Sequence, residues 1–199
     1  MNTVIGLTGN IASGKSMVSE ILREFGATIL DADLIGKRVL AENIDGALEQ
    51  VRTSFGPRVF DGRKLVRRRL ANAVFGHPDL LRTLNSIMVP IMTRLISAEL
   101  LRLRQSGHTV VLDAAILVEA GWQDLVDEVW VVRASKEDQL ARLMTRDNLS
   151  RNEAINRIEA QMPLEEKLRH ADVIIDNTTD VKATRQQVEI QWTRNSQNR

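Results

Sequence analysis

The stretch Gly9–Asn10–Ile11–Ala12–Ser13–Gly14–Lys15–Ser16 constrains this chain more than any other. It fits Gly-x₄-Gly-Lys-Ser, the pattern of a phosphate-binding loop (P-loop). Its surroundings fit as well. Thr3, Val4, Ile5 and Leu7 read as a short buried strand, and Met17–Phe25 reads as a helix with apolar residues at 18, 21, 22 and 25 and Gly26 as its stop. Glycines let the backbone bend so that successive N–H groups point inward. Those groups and the positive end of the following helix cradle phosphate oxygens. In such a loop Lys15 reaches the β- and γ-phosphates and the Ser16 hydroxyl ligates Mg²⁺. The expected nucleotide-contacting set is Gly9, Asn10, Ile11, Ala12, Ser13, Gly14, Lys15, Ser16 and Met17, with Ser16 as the metal ligand.

A chain of 199 residues suits a single P-loop unit with insertions and is long enough to bury a substantial core. There is no Cys, so disulfides, thiolate metal sites and Cys nucleophiles are excluded, which fits a reducing compartment. Met1–Asn2–Thr3 runs into the first strand without a signal segment, and no apolar run reads as long enough to span a bilayer. These features predict a cytoplasmic protein whose partners are small molecules, not nucleic acid or membrane; oligomeric state is left open. Net charge is +1, but 21 of the 27 basic residues are Arg, whose planar fork suits phosphate. Most of these arginines fit solvated helix faces, and a polyanionic ligand needs only a few.

The second strand, Ala27–Leu30, runs into Asp31–Ala32–Asp33. Alternation along an extended backbone puts 31 and 33 on one side, at the strand end where open α/β sheets bind ligands. One carboxylate could take a proton from a substrate hydroxyl while the other holds Mg²⁺ through water. The alternative is that one caps a helix beginning near Leu34. Residues 34–106 read as almost continuous helix, in segments 34–40, 46–55, 65–75, 78–87 and 90–104, broken at Gly56–Pro57, Asp61–Gly62 and Gly76–His77–Pro78. Such an insertion predicts an acceptor-binding subdomain. Its cluster Arg63, Lys64, Arg67, Arg68 and Arg69 either binds anionic groups or forms a wet helix face, with Arg67 singled out for binding.

The third strand, Thr109–Leu112, ends at Asp113, in the manner of a Walker-B position able to hold Mg²⁺ water; a strand-end cap is the alternative. The fourth strand is Glu128–Val132. Residues 136–170 read as an Arg-rich lid. Its first helix, Lys136–Arg146, carries Arg142 and Arg146 one turn apart. After the break Asp147–Asn148–Leu149, Ser150-Arg151-Asn152-Glu153 is a capping box opening a helix that carries Arg157 and Gln161. Met162–Pro163 ends that helix and a short one follows to His170. Val173–Asn177 is the fifth strand, and a helix from Val181 to about Arg194 closes the chain. The fold class is α/β: a three-layer P-loop fold with a five-stranded parallel sheet and right-handed crossovers. The expected core is 1–33, 107–135 and 171–199, with the insertion at 34–106 and the lid at 136–170. Without Asn-Lys-x-Asp the pattern speaks against a GTPase and for a small-molecule kinase.

Taken in order, these stretches resemble the dephospho-coenzyme A kinase family over nearly the whole chain. They are Gly6-Leu7-Thr8-Gly9…Ser13-Gly14-Lys15-Ser16, Asp31-Ala32-Asp33, Arg67…Leu70…Val74-Phe75 and Val111-Leu112-Asp113…Leu117-Val118-Glu119. The set continues with Gln139…Arg142-Leu143…Arg146-Asp147, Arg157…Gln161-Met162-Pro163…Lys167 and Ala171-Asp172-Val173-Ile174-Ile175-Asp176-Asn177. The chain departs from the family at Asn10 and Ala12, where glycines are usual, at Val89, where His usually precedes Pro, and at Thr179 in place of a Gly. Residues 114–123 look closer to the kinase half of the animal bifunctional CoA synthase, without its adenylyltransferase domain. The resemblance implies transfer of the ATP γ-phosphoryl group to the ribose 3′-hydroxyl of dephospho-CoA, with Mg²⁺, as the last step of coenzyme A synthesis. The expected mechanism is in-line transfer governed by positioning and charge. In it Lys15 holds the phosphates, Asp33 orients or deprotonates the acceptor hydroxyl, and Arg142 closes over the phosphoryl group with Arg146 or Arg157. Asp31, Arg67, Asp113, Arg157 and Gln161 are expected on the substrate side, and Asn177 beside adenine. A different small acceptor, or a nucleotide-binding regulator without transfer activity, are the competing readings.

Overall fold

The computed structural model describes residues 2–105 and 107–197. Strand β1 (Val4–Gly9) is buried at every position, as its near-continuous apolar run requires of a strand covered on both faces. It lies at the centre of a sheet completed by β2 (Thr28–Asp31), β5 (Val110–Asp113), β6 (Glu128–Arg133) and β7 (Val173–Asp176). The order is β2-β5-β1-β6-β7 and every pairing is parallel. Chain order reverses beside β1, so the carboxyl end of β1 is the topological switch point at which such sheets bind ligands. Helix α1 (Lys15–Glu24) buries Val18, Ile21 and Leu22 with Ile5, Leu7, Trp130, Val132 and Ile175 of the sheet and Val188 of the C-terminal helix α9 (Val181–Gln197).

The chain divides into two compact units. One contains everything up to Asp31 and from Glu99 onward; the other is Ala32–Ala98. The boundaries differ from the expected ones because helix α2 (Ala32–Ala41) starts directly after β2, and because helix α5 (Pro78–Leu103) passes from one unit to the other before Gly107. The second unit also holds α3 (Ala47–Phe55), the antiparallel hairpin β3 (Phe60–Asp61) and β4 (Lys64–Leu65), and α4 (Arg67–Val74). The hairpin replaces what read as a simple break; Gly62 at its tip has φ 57°.

Two expectations about α5 are corrected. It is one helix of 26 residues with Pro90 inside, not two. A proline in a helix interior costs about 3 kcal/mol. Ile87, Met88, Ile91, Met92 and Ile96 are buried on both sides of Pro90, and each contributes roughly 1.5–3 kcal/mol, so burial outweighs the lost bond. Helix α5 also has the length and apolar composition to cross a membrane, with mean hydropathy 1.3 over 18 residues. Its buried residues recur on one stripe, the pattern of a core helix.

The lid belongs to the sheet-bearing unit. Helix α6 (Lys136–Asp147) is capped by Ser135, which accepts from the Asp138 N–H, and ends at Asn148 with φ 52°. The capping box at Ser150 and Glu153 forms and opens α7 (Arg151–Glu159), which stops before Gln161; α8 (Leu164–Leu168) follows. Leu140, Leu143, Ala154 and Ile158 make the lid's own core, against which Ile11 and Ala12 of the P-loop pack.

Candidate active site

At the end of β1 the chain turns, with the Ser13 N–H donating to the Asn10 carbonyl at 3.0 Å. Both signature glycines have a steric reason. A Cβ on Gly9 would stand 2.6 Å from the Val132 carbonyl oxygen of β6. Gly14 has φ 97°, and its Cβ would lie 2.1 Å from Asn177 Nδ2. No side chain caps α1 and no acid occupies its first turn, so its leading N–H groups and the positive end of its dipole are left for an anion. Ser13 Oγ and Asn10 Oδ1 are buried without a partner among the described residues in the same turn, which marks a place where a ligand or water completes the bonding. The Met17 N–H donates to the Gly14 carbonyl, and its side chain packs against the core.

Lys15 is paired with Asp113, which ends β5. The sheet register sets Asp113 beside Leu7 on one side and Asp31 on the other, so two carboxylates stand in line at the strand ends. This corrects the pairing of Asp31 with Asp33. Because α2 starts at Ala32, the backbone after Asp31 is helical; Asp33 is exposed in the first helical turn, where a negative charge is favoured by the dipole. Among the described residues no three His, Cys, Asp or Glu side chains gather as a metal cage. The donor set fits Mg²⁺ held by a hydroxyl, substrate phosphates and water, with Ser16 exposed at the start of α1 and Asp31 and Asp113 close by in sequence register.

The arginines of the lid divide. Arg142 reaches the P-loop: its guanidinium donates to the carbonyls of Ala12 (3.4 Å), Ser13 (3.5 Å) and Asn177 (3.3 Å). Among the described residues it forms no ion pair. Arg146 and Arg157 instead converge on Asp147, at 2.8 and 3.0 Å. The Arg146 hydrogen bond holds the Asp147 carboxyl below its usual range. Gln161 Oε1 accepts from the Ile11 N–H at 2.6 Å, and Asn10 Nδ2 donates to the Met162 carbonyl at 3.2 Å, so the root of the lid grips the loop. The expected adenine contact of Asn177 meets a different commitment. Its side chain is buried, donates to the Ser13 carbonyl at 2.8 Å and accepts from Thr184 at 3.0 Å.

In the second unit, Arg67 is exposed at the start of α4 and donates to the Lys37 carbonyl at 3.0 Å. It borders a cavity of about 440 Å³ with Arg63 and Lys64 on its polar side and Leu40, Leu48 and Leu65 on its apolar side.

Lys167 was given no role by the sequence. It is fully buried, and its Nζ donates to the Ala115 carbonyl (2.6 Å) and pairs with Glu119 (2.9 Å). Burial pushes its pKa down; Glu119 opposes this and the charge of Lys15 adds to it. A lone lysine in a short polar helix gives no sign of burial, since lysine is almost never fully buried.

The family model for dephospho-CoA kinase matches residues 3–183. The dephospho-CoA kinase of Carboxydothermus hydrogenoformans is 46% identical over 188 residues, 93% of this chain and 90% of that protein. That of Geobacter metallireducens is 42% identical, covering 95% of this chain and 94% of its own. Among solved structures, the dephospho-CoA kinase from Campylobacter jejuni aligns over the full length of both chains with 28% identity and a TM-score of 0.72. The shikimate kinase from Acinetobacter baumannii shares the fold alone, at 15% identity and a TM-score of 0.57 over all of this chain and 96% of its own. With a model match across most of its length and relatives above 40% identity, the chain belongs to the dephospho-CoA kinase family.

Proposed function

We propose that this chain transfers the γ-phosphoryl group of ATP to the ribose 3′-hydroxyl of dephospho-CoA. The observation that carries the reading is the uncapped N-terminus of α1 with Lys15 on one side and, on the other, an Arg142 that has no acidic partner among the described residues, in a chain of this family. Phosphate oxygens take the N–H groups of the loop, and Lys15 exchanges Asp113 for them. The three carbonyl contacts of Arg142 are long, so it gains by moving to a phosphate, where a charge-assisted bond is about twice as strong. Bound Mg²⁺ supplies neutralisation of phosphate charge; Ser16 would hold it, and Asp31 and Asp113 would hold its water.

Asp33 accepts the proton of the acceptor hydroxyl. Arg67 and its basic neighbours hold the anionic part of the acceptor. Gln161 keeps the lid root on the loop, so that lid closure excludes water from the transfer. Arg157 and Arg146 act from their Asp147 clamp on the lid side of the nucleotide. We place the reaction in the cytoplasm, with small molecules as the partners.

The test is a coupled assay of ADP release with dephospho-CoA, AMP or water as acceptor. Release should be fastest with dephospho-CoA. A rate no greater than with AMP or with water would overturn the assignment.

A further inference from the structure

A methionine or leucine would fill the place of Lys167 without taking an ammonium out of water, so the charge needs a reason other than packing. The contacts supply one. The Ala115 carbonyl that accepts from Lys167 also accepts from Thr8 Oγ1, at 3.2 Å, on the residue before Gly9. Ala115 lies two residues after Asp113, and Asp113 holds Lys15. On the other side, α8 follows directly from Gln161 and Met162, which hold Ile11 and Asn10. Between 161 and 167, one short piece of chain therefore grips both the P-loop and the segment that carries Asp113.

We infer that Lys167 is a positioning residue for phosphoryl transfer: it holds Ala115 and Glu119 and so fixes the segment that carries Asp113, the carboxylate that keeps Lys15 in place until the phosphates take it. Glu119 pairs with the buried ammonium at 2.9 Å in that place, and Thr8 supplies the second hold on Ala115. The inference rests on the kinase reading given above. Loss of Lys167 leaves Lys15 and Asp113 in the protein but lets their segment relax. Misplacement of reacting groups by about 1 Å costs on the order of a hundredfold in rate.

The test compares wild type with Lys167→Met, which keeps the volume and removes the charge and its bonds. Melting temperature, kcat, and KM for ATP and for dephospho-CoA are measured well below the melting transition. The expected result is a kcat lower by about ten- to a hundredfold with the KM for dephospho-CoA within about threefold of wild type, because the acceptor is held elsewhere. Should Lys167→Met fail to fold, Glu119→Gln decides. It keeps an acceptor oxygen beside Lys167 and should lower kcat about threefold or more, again without moving the acceptor KM. A folded Lys167→Met with wild-type kcat, a defect confined to melting temperature, or a Glu119→Gln variant with wild-type kcat in the absence of a folded Lys167→Met would each overturn the inference. A wild-type protein that phosphorylates no dephospho-CoA would instead overturn the kinase reading itself.

Discussion

Gly14→Ala is a perturbation whose cost can be worked from the geometry. Gly14 has φ 97° and ψ 13°, so any Cβ there carries left-handed strain of about 1–2 kcal/mol. The second contribution is steric. The new Cβ would lie 2.1 Å from Asn177 Nδ2, while the next side chain, Arg142, is 3.7 Å away, an ordinary contact. Asn177 must therefore withdraw by more than an ångström. In doing so it gives up its 2.8 Å bond to the Ser13 carbonyl and its 3.0 Å bond from Thr184. Each is worth about 1 kcal/mol net, and more where a buried group is left unpaired. The sum is about 3–5 kcal/mol, or a fall in melting temperature of roughly 10 °C for a chain of this size. The clash has one partner, so it can be isolated. In an Asn177→Ala background the same Gly14→Ala change should cost only the backbone strain, about 1–2 kcal/mol, leaving a coupling of about 2–3 kcal/mol. Thermal or urea unfolding of the four proteins at one ionic strength measures it. Equal costs in the two backgrounds would refute the claim that Asn177 packs against the loop glycine.

Two further outcomes are expected. Asp33→Asn should lower kcat by about 10²–10⁴ with ATP affinity nearly unchanged, since it removes a general base while keeping the shape; steady-state kinetics with a kcat within about threefold of wild type would sink the assignment. Asp176 is held below its ordinary pKa of 3.8, first by the Arg133 bond at 2.5 Å and also by Thr178. Because the folded value is the lower one, its stabilisation is fully present above pH 3.8 and is lost as pH falls through that folded value. The pair is partly exposed and screened, so Asp176→Asn should cost about 0.5 kcal/mol at pH 7 and progressively less as pH falls below 3.8, read from unfolding curves across that range; a gap independent of pH would contradict it.

The parts of this molecule that were legible in its sequence are those in which backbone geometry restricts residue choice. The P-loop needs glycine at 9 and 14 because no other residue fits against Val132 and Asn177. The three central sheet strands, β1, β5 and β6, are short apolar runs because both of their faces are covered. Ser150 and Glu153 announce α7 because the capping box is a local exchange of bonds.

What stayed hidden depends on distant partners. Asp33 could not be placed by alternation, since nothing local says that the helix starts at Ala32 and not at Leu34. The register that sets Asp31 beside Asp113 joins residues 82 apart. Arg142, Arg146 and Arg157 look alike in a helical pattern, and only the position of Asp147 separates the two it binds from the one it leaves to the loop. Pro90 read as the start of a separate helix because the burial that carries one helix through it lies in the tertiary structure.

The strand order has a consequence for how the protein is made. The first two sheet strands to leave the ribosome, β1 and β2, do not pair with each other; both pair with β5, where Val4 and Thr28 each stand in register with Val110. At roughly 5–20 residues per second, the stretch of about 80 residues between Asp31 and Val110 takes on the order of 4–16 s to synthesise. For that interval the apolar β1 and the phosphate-binding loop it carries have no sheet to join. The helical unit, complete within Ala32–Ala98, is available to fold first. β5 is thus the strand whose arrival lets the sheet begin, with β6 and β7 added after it, and the nascent chain is most in need of protection from aggregation in the seconds before Asp113 emerges.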